Sequence, residues 1–135
     1  MNSNHYLVMF IIMIISGLLT TMNVYVNKID DIRLSLNDIY MSLLMSGWML
    51  FFMGIYYMEN YIIYIGLFLI VSNIWAIRTQ FMITEKQYLR GMIPHHSMAI
   101  HMSKKLLNKD NNIKNLLDNI ITTQEDEIKF MKNYL

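Results

Sequence analysis

Three long uncharged apolar stretches constrain the fold of this chain more than any other feature. No Lys, Arg, Asp or Glu occurs between Met1 and Lys28, from Ile39 to Met58, or from Asn60 to Ile77. Because an α-helix rises about 1.5 Å per residue, about 20 apolar residues cross a hydrocarbon core of about 30 Å. We therefore predict an all-α protein whose residues 1–78 form three transmembrane helices, near Tyr6–Val26, Ile39–Met58 and Tyr61–Ile77.

The distribution of basic residues predicts the orientation of these spans. With three spans, the N-terminus and the Glu59–Asn60 turn lie on one side of the membrane, and the Asn27–Asp38 loop and the tail lie on the other. The Lys and Arg residues near the spans all belong to the second side, so the positive-inside rule predicts an outside N-terminus and a cytoplasmic tail. The first stretch lacks a preceding basic segment and an A-x-A cleavage site, which favours a retained anchor over a signal peptide.

Residues 79–135 are charged and are predicted to form a helical hairpin. The capping box "TEKQ" at Thr84–Gln87 predicts a short helix that stops near Gly91. Pro94 suits the first turn of a second helix that reaches about Leu107. The segment "NKDNN" predicts a turn before a last helix from about Asn112 to Tyr134. Since a lone hairpin leaves apolar surface uncovered, we expect a homo-oligomer in the membrane lipid in which a second copy completes a four-helix bundle.

The stretch "RGMIPHHSMAIHM" brings three histidines and three methionines into thirteen residues of a chain without cysteine. Helical spacing places His95, Met98 and Met102 on one arc, with His101 at its edge and His96 pointing elsewhere. Antiparallel packing of the last helix is expected to bring Met131 towards His95 and Gln124 towards Met102, with Glu127 on the same face. The predicted pocket thus combines imidazole, thioether and one carboxylate.

These donor types favour copper over other metals. Thioethers suit Cu(I), imidazole binds copper in either oxidation state, and the absence of thiolates weakens the case for structural zinc. No Glu-x-x-His pair of a di-iron bundle is present. The same spacing also fits a simpler interpretation, in which methionines on a helix face fill a core and histidines at a helix start are solvated.

A second methionine series, Met41, Met45, Met49 and Met53, follows one slowly winding face of the second predicted span. Such a thioether ladder could pass Cu(I), as in the eukaryotic high-affinity copper transporters, which are similar in having three spans and a Met-x-x-x-Met in the second. Their Gly-x-x-x-Gly in the third span is missing here. Methionine is also an ordinary apolar filler in membranes.

The stretches "MIPHHSMAIHM" and "IITTQEDEIKFMKNYL" resemble the domain-of-unknown-function family numbered 305. Its signature is Met-x-x-His-His-x-x-Ala-Ile, followed by Gln-x-x-Glu-Ile-x-x-Met. The resemblance covers Ile83–Leu135, and the spans ending in "IRTQ" are similar to a short membrane-anchored subgroup. It implies a ferritin-like helical fold and copper binding through Met and His. The ligands it implies are Met92, His95, His96, Met98, Met102, Gln124, Glu127 and Met131, whereas His101 lies outside the signature.

The sequence thus predicts an integral-membrane protein that binds copper, with Cu(I) favoured, for buffering or for exchange with a copper donor or acceptor protein. No catalytic triad or phosphate-binding glycine loop is visible, so we do not expect an enzyme. A net charge of +1 does not indicate a basic surface that would bind nucleic acid. The alternatives are a copper transporter that uses the methionine ladder and a structural membrane oligomer without metal.

Overall fold

The computed structural model describes residues 3–135, and all regular elements over that range are helices. Its residues divide into two compact units. The first contains the residues up to Thr21 together with Leu36–Met82, and the second contains Met22–Ser35 together with Ile83–Leu135. The α-helices are α1 Ser3–Leu19, α2 Leu36–Tyr56, α3 Asn60–Thr79, α4 Glu85–Leu107 and α5 Lys114–Lys132, with short 3₁₀-helices at Met22–Tyr25 and Ile29–Asp31.

The first unit contains the second and third apolar segments that the sequence predicted as spans, together with the first of them up to Thr21. By length and composition, Asn4–Tyr25, Leu36–Tyr56 and Asn60–Thr79 are each sufficient to cross a membrane. Large apolar side chains such as Phe52 and Phe68 point outwards from this unit, as they do in helices that contact lipid. The first predicted span extended to Val26, but α1 ends at Leu19 and a 3₁₀-helix follows.

Helices α2 and α3 form a tight antiparallel hairpin. The turn is only three residues long because Met58 adopts a left-handed backbone with φ of 55°, which lets the Glu59 N–H donate to the Gly54 carbonyl at 2.9 Å. Gly66 allows the two backbones to approach closely, since a Cβ there would lie 2.6 Å from the Phe51 amide nitrogen. Small residues at such crossings are typical of helix pairs in membranes.

Helices α4 and α5 form the predicted hairpin of the second unit. Their core contains Ile93, Ile100, Ile128 and Met131, and the first two are almost completely inaccessible to solvent. Thr84 caps α4 as expected, its hydroxyl oxygen accepting a hydrogen bond from the Gln87 N–H.

The predicted helix break between Gly91 and Pro94 was wrong, because α4 runs without interruption from Glu85 to Leu107. Proline inside a helix removes one backbone hydrogen bond and crowds the preceding turn. Here the side chains of Ile93 and Pro94 are both fully buried. Packing of this turn against the core therefore outweighs a local preference that would otherwise have ended the helix.

Segment Met22–Ser35, which we call the strap, packs on the hairpin as part of the second unit. Its shape is held by the Asn23 side chain, which donates to the Arg33 carbonyl at 2.7 Å and accepts from the Arg33 N–H at 3.0 Å. The strap amide of Asn27 donates to the Ser97 hydroxyl oxygen at 2.9 Å. A segment that connects the first two apolar helices in sequence is thus a structural component of the tail.

Candidate functional site

Most of the histidines and methionines that the sequence placed on one arc of α4 line a single open groove along the hairpin. We refer to this surface as the groove. Helix α4 contributes His95, Met98, His101 and Met102, and α5 contributes Gln124. Tyr25 of the strap, together with Leu117 and Ile120 of α5, lines the same groove. The spacing of the sequence therefore predicted these α4 neighbours, and Gln124 lines the groove together with Met102.

Gln124, which lines the groove, carries a buried polar acceptor. Its Oε1 atom is buried and has no hydrogen-bond partner among the described residues. A buried acceptor without a partner costs free energy of about 1–3 kcal/mol, so this position is favourable for a ligand that accepts its lone pair.

A second open pocket, which we call the acidic pocket, lies along another side of the same hairpin. It is lined by Met92 and His96 of α4 and by Asp126, Glu127 and Met131 of α5. The groove and the acidic pocket share no lining residue. His95 lines the groove and His96 the acidic pocket, and the centroids of their two rings lie 5.8 Å apart.

The predicted single pocket was therefore wrong in its composition. Met131 and Glu127 lie with His96 and Met92 in the acidic pocket, and neither lines the groove beside His95. Helical periodicity gives the angular position of each residue on its own helix. It does not determine the rotation of one helix against the other, and that rotation placed the carboxylate with His96.

His96 is held at both ring nitrogens. Its Nδ1 lies 2.8 Å from the Met92 carbonyl oxygen, and its Nε2 lies 2.8 Å from Glu127 Oε2. Because a carbonyl only accepts, Nδ1 must carry a proton to make the first contact, and Nε2 is the nitrogen directed at the carboxylate. The His96 side chain is 12% exposed whereas that of Glu127 is 51% exposed, so the imidazole is the more buried partner of this pair.

The two sites differ in charge. The groove is lined by Lys105 and Lys109 and by no acidic side chain. The acidic pocket contains Asp126 and Glu127 and no Lys or Arg. Lys129 pairs with Asp126 at 2.9 Å, and Glu127 is the carboxylate that faces His96.

Within residues 3–135, no three His, Asp or Glu side chains form a group that could hold a metal ion. A metal in the groove or the acidic pocket would therefore need thioether sulfur, the Gln124 amide oxygen or water as further ligands. Thioether and imidazole donors together are suited to a soft ion.

A buried ionic cluster joins the strap to both helices of the hairpin and was not predicted from the sequence. Asp31 is only 2% exposed. Its Oδ2 accepts from the Ser97 hydroxyl at 2.6 Å, and its Oδ1 lies 2.7 Å from Lys132 Nζ. Lys132 also pairs with the exposed carboxylate of Asp30.

Ion pairs also shift the pKa values of groups around this cluster. The hydrogen bond from Lys132 lowers the pKa of Asp30. Burial lowers the pKa of Lys132, but hydrogen bonds to Asp30 and Asp31 and the charges of these two residues outweigh it, so the net shift is upward. Glu125 lines the same pocket as Asp31 and Lys132, and the hydrogen bond from Lys104 lowers the pKa of Glu125. The only sequence signal was a pair of adjacent aspartates in a loop, which is usually a solvated feature.

The methionines of α2 do not share one environment. Met49 and Met53 pack against the core formed by Tyr6, Leu50 and Ile62. Met41, at the start of the series, is 57% exposed on the surface of the unit. Part of the methionine series therefore contributes to helix packing, and its first member lies on the surface of the unit.

Comparisons with known proteins match the C-terminal part of the chain to a described family and the whole chain to a relative. The family described as a domain of unknown function (DUF305) matches residues 75–135, which include α4 and α5. An uncharacterized protein of Acanthamoeba polyphaga mimivirus is 47% identical over 143 aligned positions, which cover 100% of this chain and 93% of that protein. No solved structure matches the chain. The chain therefore belongs to the same family as the mimivirus protein, and its residues 75–135 match the DUF305 family.

Proposed function

We propose that this chain is an integral-membrane copper-binding protein that holds Cu(I) in the groove for buffering or handover. The observation that carries the proposal is the convergence of two imidazoles, two thioethers and the unpartnered Gln124 oxygen in one groove. This donor set fits Cu(I), because thioether and imidazole are ligands that this ion accepts and no negative charge is needed to neutralise a monovalent cation.

The proposed roles of the groove residues follow from their chemistry. His95, Met98, His101 and Met102 would supply the ligands, and Gln124 would offer a weak oxygen donor from the facing helix. We propose no catalytic role, since the groove contains no nucleophile paired with a base. A partner protein that donates or accepts copper would reach the site from the open side of the groove.

The experiment compares Cu(I) binding to full-length variants in detergent under reducing conditions, using competition with a chromophoric Cu(I) chelator. The double substitution His95→Gln and Met98→Leu should abolish Cu(I) binding by the groove while leaving the helical circular dichroism signal unchanged. The matched control, Met45→Leu with Met49→Leu, should retain binding because leucine conserves apolar volume. A wild-type chain that holds no Cu(I) would end the proposal and favour a structural membrane protein.

The same variants test the alternative of copper transport. In a transporter, the Met45 and Met49 substitutions would stop Cu(I) flux into liposomes although the groove still bound metal. We favour storage or handover, because Met49 and Met53 are already used in packing of the apolar core.

We further propose an outside N-terminus and a cytoplasmic tail, on the basis of the Lys and Arg residues that flank the spans. A reporter fused after Leu135 should then be reached by cytoplasmic reagents. A fusion that is reached only from outside would reverse the orientation.

Self-association is the remaining part of the proposal. Leu116 and Phe130 on α5 are more than half exposed, so the hairpin has apolar surface that a second copy would cover in a ferritin-like four-helix bundle. Cross-linking in mild detergent should trap a dimer or a larger oligomer. A chain that stays monomeric would contradict this arrangement.

A further inference from the structure

We infer that the strap is a lipid-binding surface, which inserts its aliphatic side chains into the headgroup region of the membrane and so anchors the tail there. The side chains that carry this inference are Val24, Ile29, Ile32 and Leu34. They lie outside the residues that match the DUF305 family. The inference rests on integration of the chain in a membrane, as proposed above, and is independent of copper binding by the tail.

The exposure of these four side chains is the first observation. Val24 is 64% exposed, Ile29 86%, Ile32 45% and Leu34 53%. A single exposed aliphatic residue is common on a protein surface and needs no explanation. Several of them in one short segment indicate a surface that contacts another molecule or lipid.

The polar groups of the strap are directed at the hairpin instead. The Asp31 carboxylate is buried and contacts the Ser97 hydroxyl and Lys132 Nζ, and the Asn27 N–H donates to the same hydroxyl oxygen. The strap therefore buries a charged side chain and exposes aliphatic ones. This distribution is the reverse of the one that the hydrophobic effect favours for a loop in water.

The connectivity of the strap indicates lipid as the occupant of this surface. At its start the strap continues the candidate span Asn4–Tyr25, and at its end Ser35 is followed directly by the candidate span Leu36–Tyr56. A segment joined to spans at both ends begins and ends at the surface of the bilayer. Apolar side chains at that surface become buried about 5–10 Å deep, at the boundary between headgroups and acyl chains.

The charges of the strap fit anionic headgroups. Both of its carboxylates, Asp30 and Asp31, pair with Lys132 of α5. Its two basic residues are Lys28, which is exposed and precedes Ile29, and Arg33, which lies between Ile32 and Leu34. Basic residues next to apolar ones strengthen binding to a membrane surface that contains anionic lipid.

The test uses the full-length protein in nanodiscs of phosphatidylcholine and phosphatidylglycerol. Because the chain has no cysteine, Ile29→Cys provides a single site for a nitroxide label. Electron paramagnetic resonance compares the collisions of the label with oxygen, which dissolves in lipid, and with a water-soluble nickel chelate. We expect more collisions with oxygen than with the nickel chelate, and the same result for Leu34→Cys.

Two control positions calibrate the measurement. A label at Asp118→Cys, on the exposed surface of α5, should collide more with the nickel chelate than with oxygen. A label at Phe68→Cys, which is 72% exposed on the candidate span α3, should show the lipid result. Ile29 is exposed enough for its substitution to leave the fold intact, and circular dichroism of each labelled variant checks that the helices persist.

The outcomes separate this inference from the proposed membrane function. If the Phe68 label reports lipid while the Ile29 and Leu34 labels resemble the Asp118 label, the strap anchor is refuted and membrane integration stands. If the Ile29 label is shielded from both reagents and its spectrum is broadened by a second label, another copy of the chain covers the strap and the inference is overturned. If the Phe68 label reports water, integration in the membrane fails and the anchor fails with it.

Discussion

Replacing Asp31 by Asn should loosen the entire tail, although Asp31 lies more than fifty residues before α4 in sequence. Asn has nearly the same volume and can still accept from the Ser97 hydroxyl, so the substitution mainly removes the negative charge that faces Lys132. The effect therefore measures the ionic contact between the strap and α5.

The magnitude follows from burial. Breaking a fully buried ion pair by removing one partner costs about 3–5 kcal/mol, and a hydrogen bond to a charged group contributes about 1.5–3 kcal/mol. Asp31 is almost completely buried, but the Lys132 side chain is 27% exposed and keeps Asp30 as a partner. We therefore expect the free energy of opening of the tail to fall by about 2–4 kcal/mol.

Amide hydrogen exchange of the full-length protein in detergent measures this change for each helix. A loss of about 2–4 kcal/mol corresponds to roughly 30- to 1000-fold faster exchange of the most protected amides in α4 and α5. The matched control is Asp30→Asn, whose carboxylate contacts the same Lys132 but is exposed to solvent. It should change protection far less, because exposed ion pairs contribute little.

Two outcomes would refute this reasoning. If Asp31→Asn and Asp30→Asn have equal effects, burial of the carboxylate does not determine the energy of the contact. If only strap amides lose protection while α4 and α5 keep theirs, the strap is an appendage and the hairpin is stable without it.

Three further predictions follow from the helices and their ion pairs. Gly91→Ala should stabilise α4 by about 0.5–1 kcal/mol, because the position is inside a continuous helix and the added Cβ would lie 3.4 Å or more from its nearest neighbours. Slower amide hydrogen exchange in α4 would confirm this prediction, and faster exchange would contradict it. Gly66→Ala should destabilise the α2–α3 pair by about 1–3 kcal/mol, since the added Cβ would lie 2.6 Å from the backbone nitrogen of Phe51. We expect a lower melting temperature in detergent, and an unchanged melting temperature would disprove the close approach of the two helices. The pKa values of Asp30 and Glu125 are lower in the folded tail than in the unfolded chain, where they are about 4. The ion pairs of these two residues therefore stabilise the tail fully at pH values above about 4, and this stabilisation should be lost as the pH falls through the folded-state pKa values. Circular dichroism between pH 6 and 3 measures the transition, which should become shallower when both residues are changed to their amides.

Periodicity and composition were sufficient to predict the helical class, the three candidate spans and the two-helix tail. These features depend on residues that are near one another in the chain, such as the uncharged runs before Arg78 or the cap at Thr84. The same local logic predicted that Met98 and Met102 line one groove with His95, because side chains three or four residues apart share a helix face.

Only the tertiary structure decided three other features, and each depends on contacts between residues distant in sequence. Burial of Pro94 keeps α4 continuous where local propensity predicted a break. The rotation of α5 against α4 places Glu127 beside His96 and leaves Gln124 in the groove. The strap joins the tail through Asp31, Ser97 and Lys132, which no repeat or spacing connects. Local sequence sets the faces of each helix, whereas the free energy of packing those faces together selects which of them meet.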